Sequence, residues 1–328
     1  MGPDTTGTPK VSVIMPAYKT AHLIAAALDS ALRQSFRDME IVVVNDGSPD
    51  TLELEKALIP YQDKIVYIKQ ENKRAAGARN TAIRRAAGEF LAFLDSDDTW
   101  LPGHLALQMQ QFAQDPTLDL VYCNCLALGD PSRPHPWMDR CPSYGPATFA
   151  ALAVERCQIP ISTVVVRKSA LVKAGLFDET LLRCDDYDMW LRAAFHGAKI
   201  GYSRTIQAHV NDGRPGSLGA SNAKMIEAYW MILDKALRTL PLSPQDRDIV
   251  QKRAAEIRAR YLIEEGKVHL REGRFDQARA LLAQGNAHLR NRKVSLVLIG
   301  LAIAPRSTVR IVSFVTRMRN AEAGPRRG

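Results

Sequence analysis

Residues 74–98, RAAGARNTAIRRAAGEFLAFLDSDD, decide the fold. Arg74–Ala87 has helical spacing and is closed by Gly88. Phe90–Leu94 (FLAFL) is then an unbroken apolar run, and it ends in three carboxylates within four positions, Asp95, Asp97 and Asp98. A strand without polar alternation is buried on both faces, as parallel strands covered by helices are.

The same rhythm runs upstream. Val11–Pro16 (VSVIMP) and Glu40–Asn45 (EIVVVN) are apolar strands, and Lys64–Lys69 (KIVYIK) is a third. Helical spacing fills Ala21–Gln34, and Asp50–Leu58 follows the turn Asp46-Gly47-Ser48-Pro49. This alternation predicts an α/β fold, a mostly parallel central sheet with helices on both faces. Downstream, Leu118–Leu126 and Ser162–Arg167 read as strands, Asp130–Pro146 as a long loop, and Lys168–Ala174 and Asp185–His196 as helices. Asp212–Ser221 is Gly-rich, and from Asn222 the pattern is all helical, with Glu256–Arg271 and Arg274–Leu289 as a hairpin. The domains expected are residues 10–221, an α/β domain; 222–290, a helical hairpin region; and 291–328, a basic tail.

Composition is that of a globular chain: 328 residues, 46% hydrophobic and 24% charged. The net charge of +9 is unevenly placed. From Asn286 onward there are nine Lys or Arg and one acid, so the body is nearly neutral. A neutral body argues against nucleic acid as a partner, and a basic tail points to an anionic surface. The five cysteines contain no CxxC pair and read as small buried side chains in a reducing compartment. No secretory signal is visible, and Val294–Ala304 is too short to span a bilayer, so a cytoplasmic protein is expected, peripheral on the cytoplasmic face of the membrane if the tail docks there.

Chemistry-bearing residues gather at strand ends, where ligands sit in open α/β sheets. They are Pro16-Ala17-Tyr18, Asn45-Asp46-Gly47-Ser48, Asn72 with Gly77, Arg79 and Asn80, and Asp95-Ser96-Asp97-Asp98. Three adjacent carboxylates repel one another unless a cation or strong donors offset them. Magnesium takes one or two protein carboxylates with phosphate oxygens, so the cluster suits a metal–diphosphate site; a helix cap at Asp97 and Asp98 is the plainer alternative.

VSVIMPAYKTAHLIAAALDSAL, IVVVNDGSPD, AGARNTAIRRAAGEFLAFLDSDDTWLPGHL and DDYDMWLRAA together resemble family 2 glycosyltransferases of the GT-A fold, over residues 10–221. The resemblance implies a nucleotide-diphospho-sugar transferase. By it, Pro16, Ala17 and Tyr18 wall the nucleobase, and Asp46 accepts a hydrogen bond from it. Asn72 and Ser96 join the donor site, and Arg79 lies near base and phosphates. Asp95 and Asp97 match the DxD acids, near ribose and on Mn2+ or Mg2+, with Asp98 a substitute for either. Asp186 matches the general base, although Asp185 stands where the family has Glu. His209 is either a further metal ligand or a structural histidine.

A single displacement assisted by one base implies inversion at the anomeric carbon. The implied donor is a UDP- or dTDP-sugar, with guanine also open, and the acceptor is a hydroxyl of a glycan or glycolipid. A silent nucleotide-sugar-binding relative would have lost carboxylates that are present here, and a processive synthase would carry membrane spans and QxxRW. In the tail, Arg306, Arg310, Ser313 and Arg317 share one side of a helix, with Ile311, Val312, Val315 and Met318 broadly opposite. This amphipathic pattern predicts docking on an anionic membrane surface, against packing on the hairpin or a dimer contact.

Overall fold

A computed structural model describes residues 7–129, 134–212 and 222–304. The chain divides into two compact units, Met1–Ala220 and Ser221–Gly328.

The first unit has a nine-stranded sheet among the described residues. Its strands are β1 (Val11–Ala17), β2 (Met39–Asp46), β3 (Val66–Gln70), β4 (Phe90–Phe93), β5 (Thr99–Trp100), β6 (Leu120–Ala127), β7 (His135–Pro136), β8 (Val164–Arg167) and β9 (Ile200–Val210). Sheet order is β3-β2-β1-β4-β8-β6-β9-β5, with β7 beside β6. The first four are parallel, Val13 pairing with Ile41 on one side and Ala92 on the other. Beyond β4 the sheet becomes mixed: β8 is antiparallel to β4 and β6, while β9 runs parallel to β6 and antiparallel to β5.

Its helices are α1 (Ile24–Leu32), α2 (Thr51–Leu58), α3 (Arg74–Arg85), α4 (His104–Gln114), α5 (Trp137–Arg140), α6 (Phe149–Ala153), α7 (Lys168–Lys173) and α8 (Asp185–Phe195). Val13, Met15, Val43 and Ala92 pack in one cluster with Ile24 and Leu28 of α1, Leu54 of α2 and Leu105 of α4. Successive strand side chains point to opposite faces, so Ile14, Val42 and Phe93 turn the other way. They are equally buried, and the Phe93 ring meets Phe177 at 5.5 Å and Trp190 of α8 at 6.0 Å. Both faces are therefore covered, which explains the unbroken apolar runs. Burying one such side chain contributes about 1.5–3 kcal/mol.

The helix expected near Pro102 is α4, which starts at His104 with Gly103 before it, and Leu105 and Phe112 are buried at helical spacing. β9 goes beyond the sequence expectation: its residues are mostly half-buried, with Arg204 and Thr205 exposed, so it lacks both an apolar run and clean alternation. The expected loop at 130–146 holds β7 and the single turn α5 in its described part.

The second unit contains α9 (Asn222–Thr239), α10 (Pro244–Arg271), α11 (Phe275–Leu289) and α12 (Arg292–Ile303). α10 begins twelve residues before the expected hairpin helix, where the Ser243 hydroxyl accepts the Asp246 N–H at 3.1 Å and Pro244 occupies the first turn. α10 and α11 approach closely through glycines. A Cβ on Gly266 would lie 2.8 Å from Leu282 Cγ, and one on Gly285 2.6 Å from the Ala259 carbonyl oxygen. α12 adds Val294 and Leu301 to the Ile263–Leu282 cluster. The start of the expected tail thus packs on the hairpin, while the amphipathic stretch Arg306–Met318 lies outside the described residues.

Candidate active site

The carboxyl ends of β1, β2 and β4 carry three of the motif clusters, and the approach to α3 with α3 itself carries the other. β2 ends at Asp46, whose Oδ1 accepts from Gln70 Nε2 at 2.7 Å and from the Lys73 N–H at 2.8 Å. Asn72 donates to the Asp46 carbonyl at 2.9 Å. Gly47 has φ of +60°, and a Cβ there would sit 2.7 Å from Asn72 N, so this turn excludes other residues twice over. Asn72 therefore shapes the Asp46 turn. Ser48 links the turn to the end of β1, accepting the Lys19 N–H at 2.6 Å and donating to Asp50, which also accepts the Ala21 N–H. Of the expected nucleobase wall, Pro16 is half-buried and Tyr18 exposed, while Ala17 turns its side chain into the core.

Arg79, on the buried face of α3, reaches two acid clusters. Its Nη2 donates to Asp95 Oδ1 at 2.8 Å and its Nη1 to Asp185 Oδ2 at 2.7 Å. The guanidinium lies over the Phe177 ring and is 5% exposed. Burial opposes its charge, but Asp95 and Asp185 outweigh that, so the arginine stays firmly cationic. Its Nε has no hydrogen-bond partner among the described residues. The sequence pattern set Arg79 near base and phosphates; in the fold it is the tie between β4 and α8.

The Asp95–Asp98 turn divides its labour. Asp95 and Asp97 are half-buried, and Ser96 and Asp98 face inward. Ser96 shares a 2.8 Å hydrogen bond with Thr20, pinning the turn to the end of β1. Asp98 accepts from Ser162 Oγ at 2.5 Å and from the Asn211 N–H at 2.8 Å, and Ser162 also accepts the Asp95 N–H. Burial, then the charges of Asp95 and Asp97, push the Asp98 carboxyl well above the usual carboxylate range. Its internal partners make it a brace for the turn. Ser162 and Asn211 went unnoticed because each lies more than sixty residues from the turn it holds, 67 and 113 positions in the two bonds.

Asp95 and Asp97 give two carboxylates on the open side of the turn, which fits an octahedral ion completed by phosphate and water. His209 is half-buried on β9, opposite Thr99 of β5. Among the described residues no three His, Cys, Asp or Glu side chains form a ready metal cluster.

The second acid cluster opens α8 after Cys184, which has φ of +55°. Asp185 is bound to Arg79, and Asp188 is buried with Arg192 at 2.7 Å. Asp186 is half-buried, and its hydrogen bond among the described residues is to the Tyr187 N–H at 2.8 Å. Burial, then the charge of Asp185, push its carboxyl up to about 7, with Arg79 pulling the other way. A carboxylate poised near neutrality at the mouth of a strand-end site is equipped to take a proton.

The sheet order, with paired acids at the strand ends, is that of a GT-A fold. The fold is shared with the crystal structure of Staphylococcus aureus TarS residues 1–349 (TM-score 0.62, 19% identity, 94% of this chain and 91% of that one) and with the solved structure of the Pyrobaculum calidifontis mannosyltransferase PcManGT in complex with GDP-Man and Mn2+ (TM-score 0.58, 20% identity, 93% and 87%). The glycosyl transferase family 2 profile matches residues 12–173. The Escherichia coli UDP-Glc:alpha-D-GlcNAc-diphosphoundecaprenol beta-1,3-glucosyltransferase WfgD is 31% identical over 183 residues, 55% of this chain and 68% of that protein. An uncharacterized glycosyltransferase of Rickettsia typhi is 29% identical over 229 residues, 69% of this chain and 71% of that one. Three other rickettsial relatives are longer, and the match spans 30%, 31% and 33% of them. The chain belongs to glycosyl transferase family 2, and is an enzyme that uses a nucleotide-sugar donor. No described helix is long and apolar enough to cross a membrane.

Proposed function

We propose that the enzyme transfers a sugar from a UDP- or dTDP-sugar to a hydroxyl of a lipid-linked or glycan acceptor, once per encounter and with inversion. The observation that carries this is Asp186: a half-buried carboxylate raised to about 7, beside an arginine already engaged by Asp185 and Asp95. Asp186 takes the proton from the acceptor hydroxyl as that oxygen bonds to the anomeric carbon. The bond from that carbon to the diphosphate oxygen breaks on the opposite face, so configuration inverts.

Arg79 holds Asp95 and Asp185 in fixed positions, and the Asp98–Ser162–Asn211 brace sets the turn bearing Asp95 and Asp97. These two acids would hold Mn2+ or Mg2+, with His209 a further candidate ligand; the ion supplies charge stabilisation to the leaving diphosphate. Pro16 and Tyr18 would flank the base, and the Asp46 turn would receive its edge. The lipid-linked acceptor is suggested by the diphosphoundecaprenol named for the E. coli relative, and the cation by the Mn2+ named for the Pyrobaculum neighbour.

A donor-hydrolysis scan over UDP-, dTDP- and GDP-sugars, with and without manganese, tests the reading. Metal-dependent release of UDP or dTDP is expected. Full turnover after exhaustive chelation, or preference for GDP-sugars, overturns the metal or the base assignment. Proton NMR of fresh product tests the stereochemistry, and retention overturns the single displacement.

A further inference from the structure

The geometry points to α12 as an interfacial helix that lies on an anionic lipid surface, a role separate from the donor site. Its two faces divide sharply. Val294 and Leu301 are buried against the hairpin. At about 100° per residue, Leu296, Ile299 and Ile303 fall within a narrow arc on the opposite side. They are 69%, 58% and 79% exposed, among the most exposed large apolar side chains described. Such a stripe in water is unfavourable unless something covers it.

Charge identifies the occupant. Arg292 is exposed, shares the outer arc and starts the stripe, and Arg290 and Lys293 beside it are exposed as well. The sequence beyond residue 304 adds six basic residues and one acid, whereas the 285 residues before Asn286 are nearly neutral. An apolar stripe alone would suit another protein. A stripe bracketed by cations with almost no counter-charge suits lipid chains beneath anionic headgroups. Twelve residues reach about 18 Å, less than a hydrocarbon core of roughly 30 Å, so α12 would lie in the interface and not cross it. The hairpin would anchor its inner face throughout.

The test is flotation of the full chain with vesicles of phosphatidylcholine, with and without phosphatidylglycerol, at low and high salt. The chain should float with phosphatidylglycerol vesicles at low salt and largely stay behind at high salt. L296Q/I299Q/I303Q should lower the partition at least tenfold, with the unfolding midpoint and donor hydrolysis in solution unchanged. R292Q/K293Q should lower it by roughly fivefold for each charge removed. Absence of flotation by the intact chain, or undiminished flotation by the triple variant, overturns the proposal. So does a dimer by light scattering that the triple variant converts to monomer, since the stripe is then a contact between copies. Because donor hydrolysis is read separately, failure here leaves the proposed reaction standing.

Discussion

The Asp95–Asp98 turn and the start of α8 are built to one plan. Each puts three carboxylates in four residues, ties one to Arg79, buries one and leaves one half-exposed. The buried members differ. Asp188 has a cation, Arg192, whereas Asp98 has a hydroxyl and an amide. Asp188 is paired with arginine, whereas Asp98 has only neutral donors, and burial with the charges of Asp95 and Asp97 makes it resist ionisation. The first cluster has one arginine contact, Arg79 on Asp95. The second has two, Arg79 on Asp185 and Arg192 on Asp188, with Asp186 between them. Under the proposed function the same composition would serve a cation in one place and accept a proton in the other, because the buried neighbours differ.

The largest effect should come from Asp186→Asn, which removes the proton acceptor. Transfer should fall on the order of 10²–10⁴-fold while donor affinity, read by calorimetry, hardly changes. Equal losses from Asp185→Asn and Asp188→Asn would break the distinction among the three acids. Next, Asp188→Asn should destabilise the fold by about 2–3 kcal/mol in urea unfolding, because it leaves the Arg192 guanidinium without its buried partner. Asp98→Asn strands no cation, so about 1 kcal/mol is expected. If the two cost the same, the contrast between charge pair and brace is wrong.

A subtler effect concerns pH. The folded carboxyl of Asp186 sits above its unfolded value, so its ionisation costs stability as pH rises from the ordinary carboxylate range toward 7. Asp186→Asn should therefore be more stable than the parent at pH 7, by about 1–2 kcal/mol after allowance for solvent screening, and the two should converge near pH 4. The base acts deprotonated, so kcat/KM should fall as pH drops below about 7. The smallest expected change is in Asp185→Asn, which removes a like charge and should move that limb to lower pH.

Legibility in the sequence follows where the partners lie. β1, β2 and β4 were readable because both of their faces are covered, leaving continuous apolar runs such as Ile41–Val44, and edge strand β3, half-exposed, by its β-branched residues. β9 was not, since its side chains meet solvent in the middle. The acids themselves were visible as clusters. Their division into tie, brace and reactive group was not, because it depends on Arg79, Ser162, Arg192 and Asn211, which signal nothing at a distance. The inward turn of Ala17 was hidden likewise: period-2 alternation fixes a side chain's face only once the strand's ends are known.

The bond from the Asn211 amide to Asp98 spans 113 positions, and that from Arg79 to Asp185 spans 106. Contacts so remote along the chain form only after a large loop has closed, so they come late in folding. During synthesis, β1 to β4 can assemble while the chain is still emerging, but α8 and β9 follow about a hundred residues later. A nascent chain that ends before β9 would have the parallel strands, the first acid turn and Ser162, yet lack the Asn211 amide that completes the brace. Donor-binding competence should therefore be acquired abruptly, near the release of residue 211, and not in proportion to length.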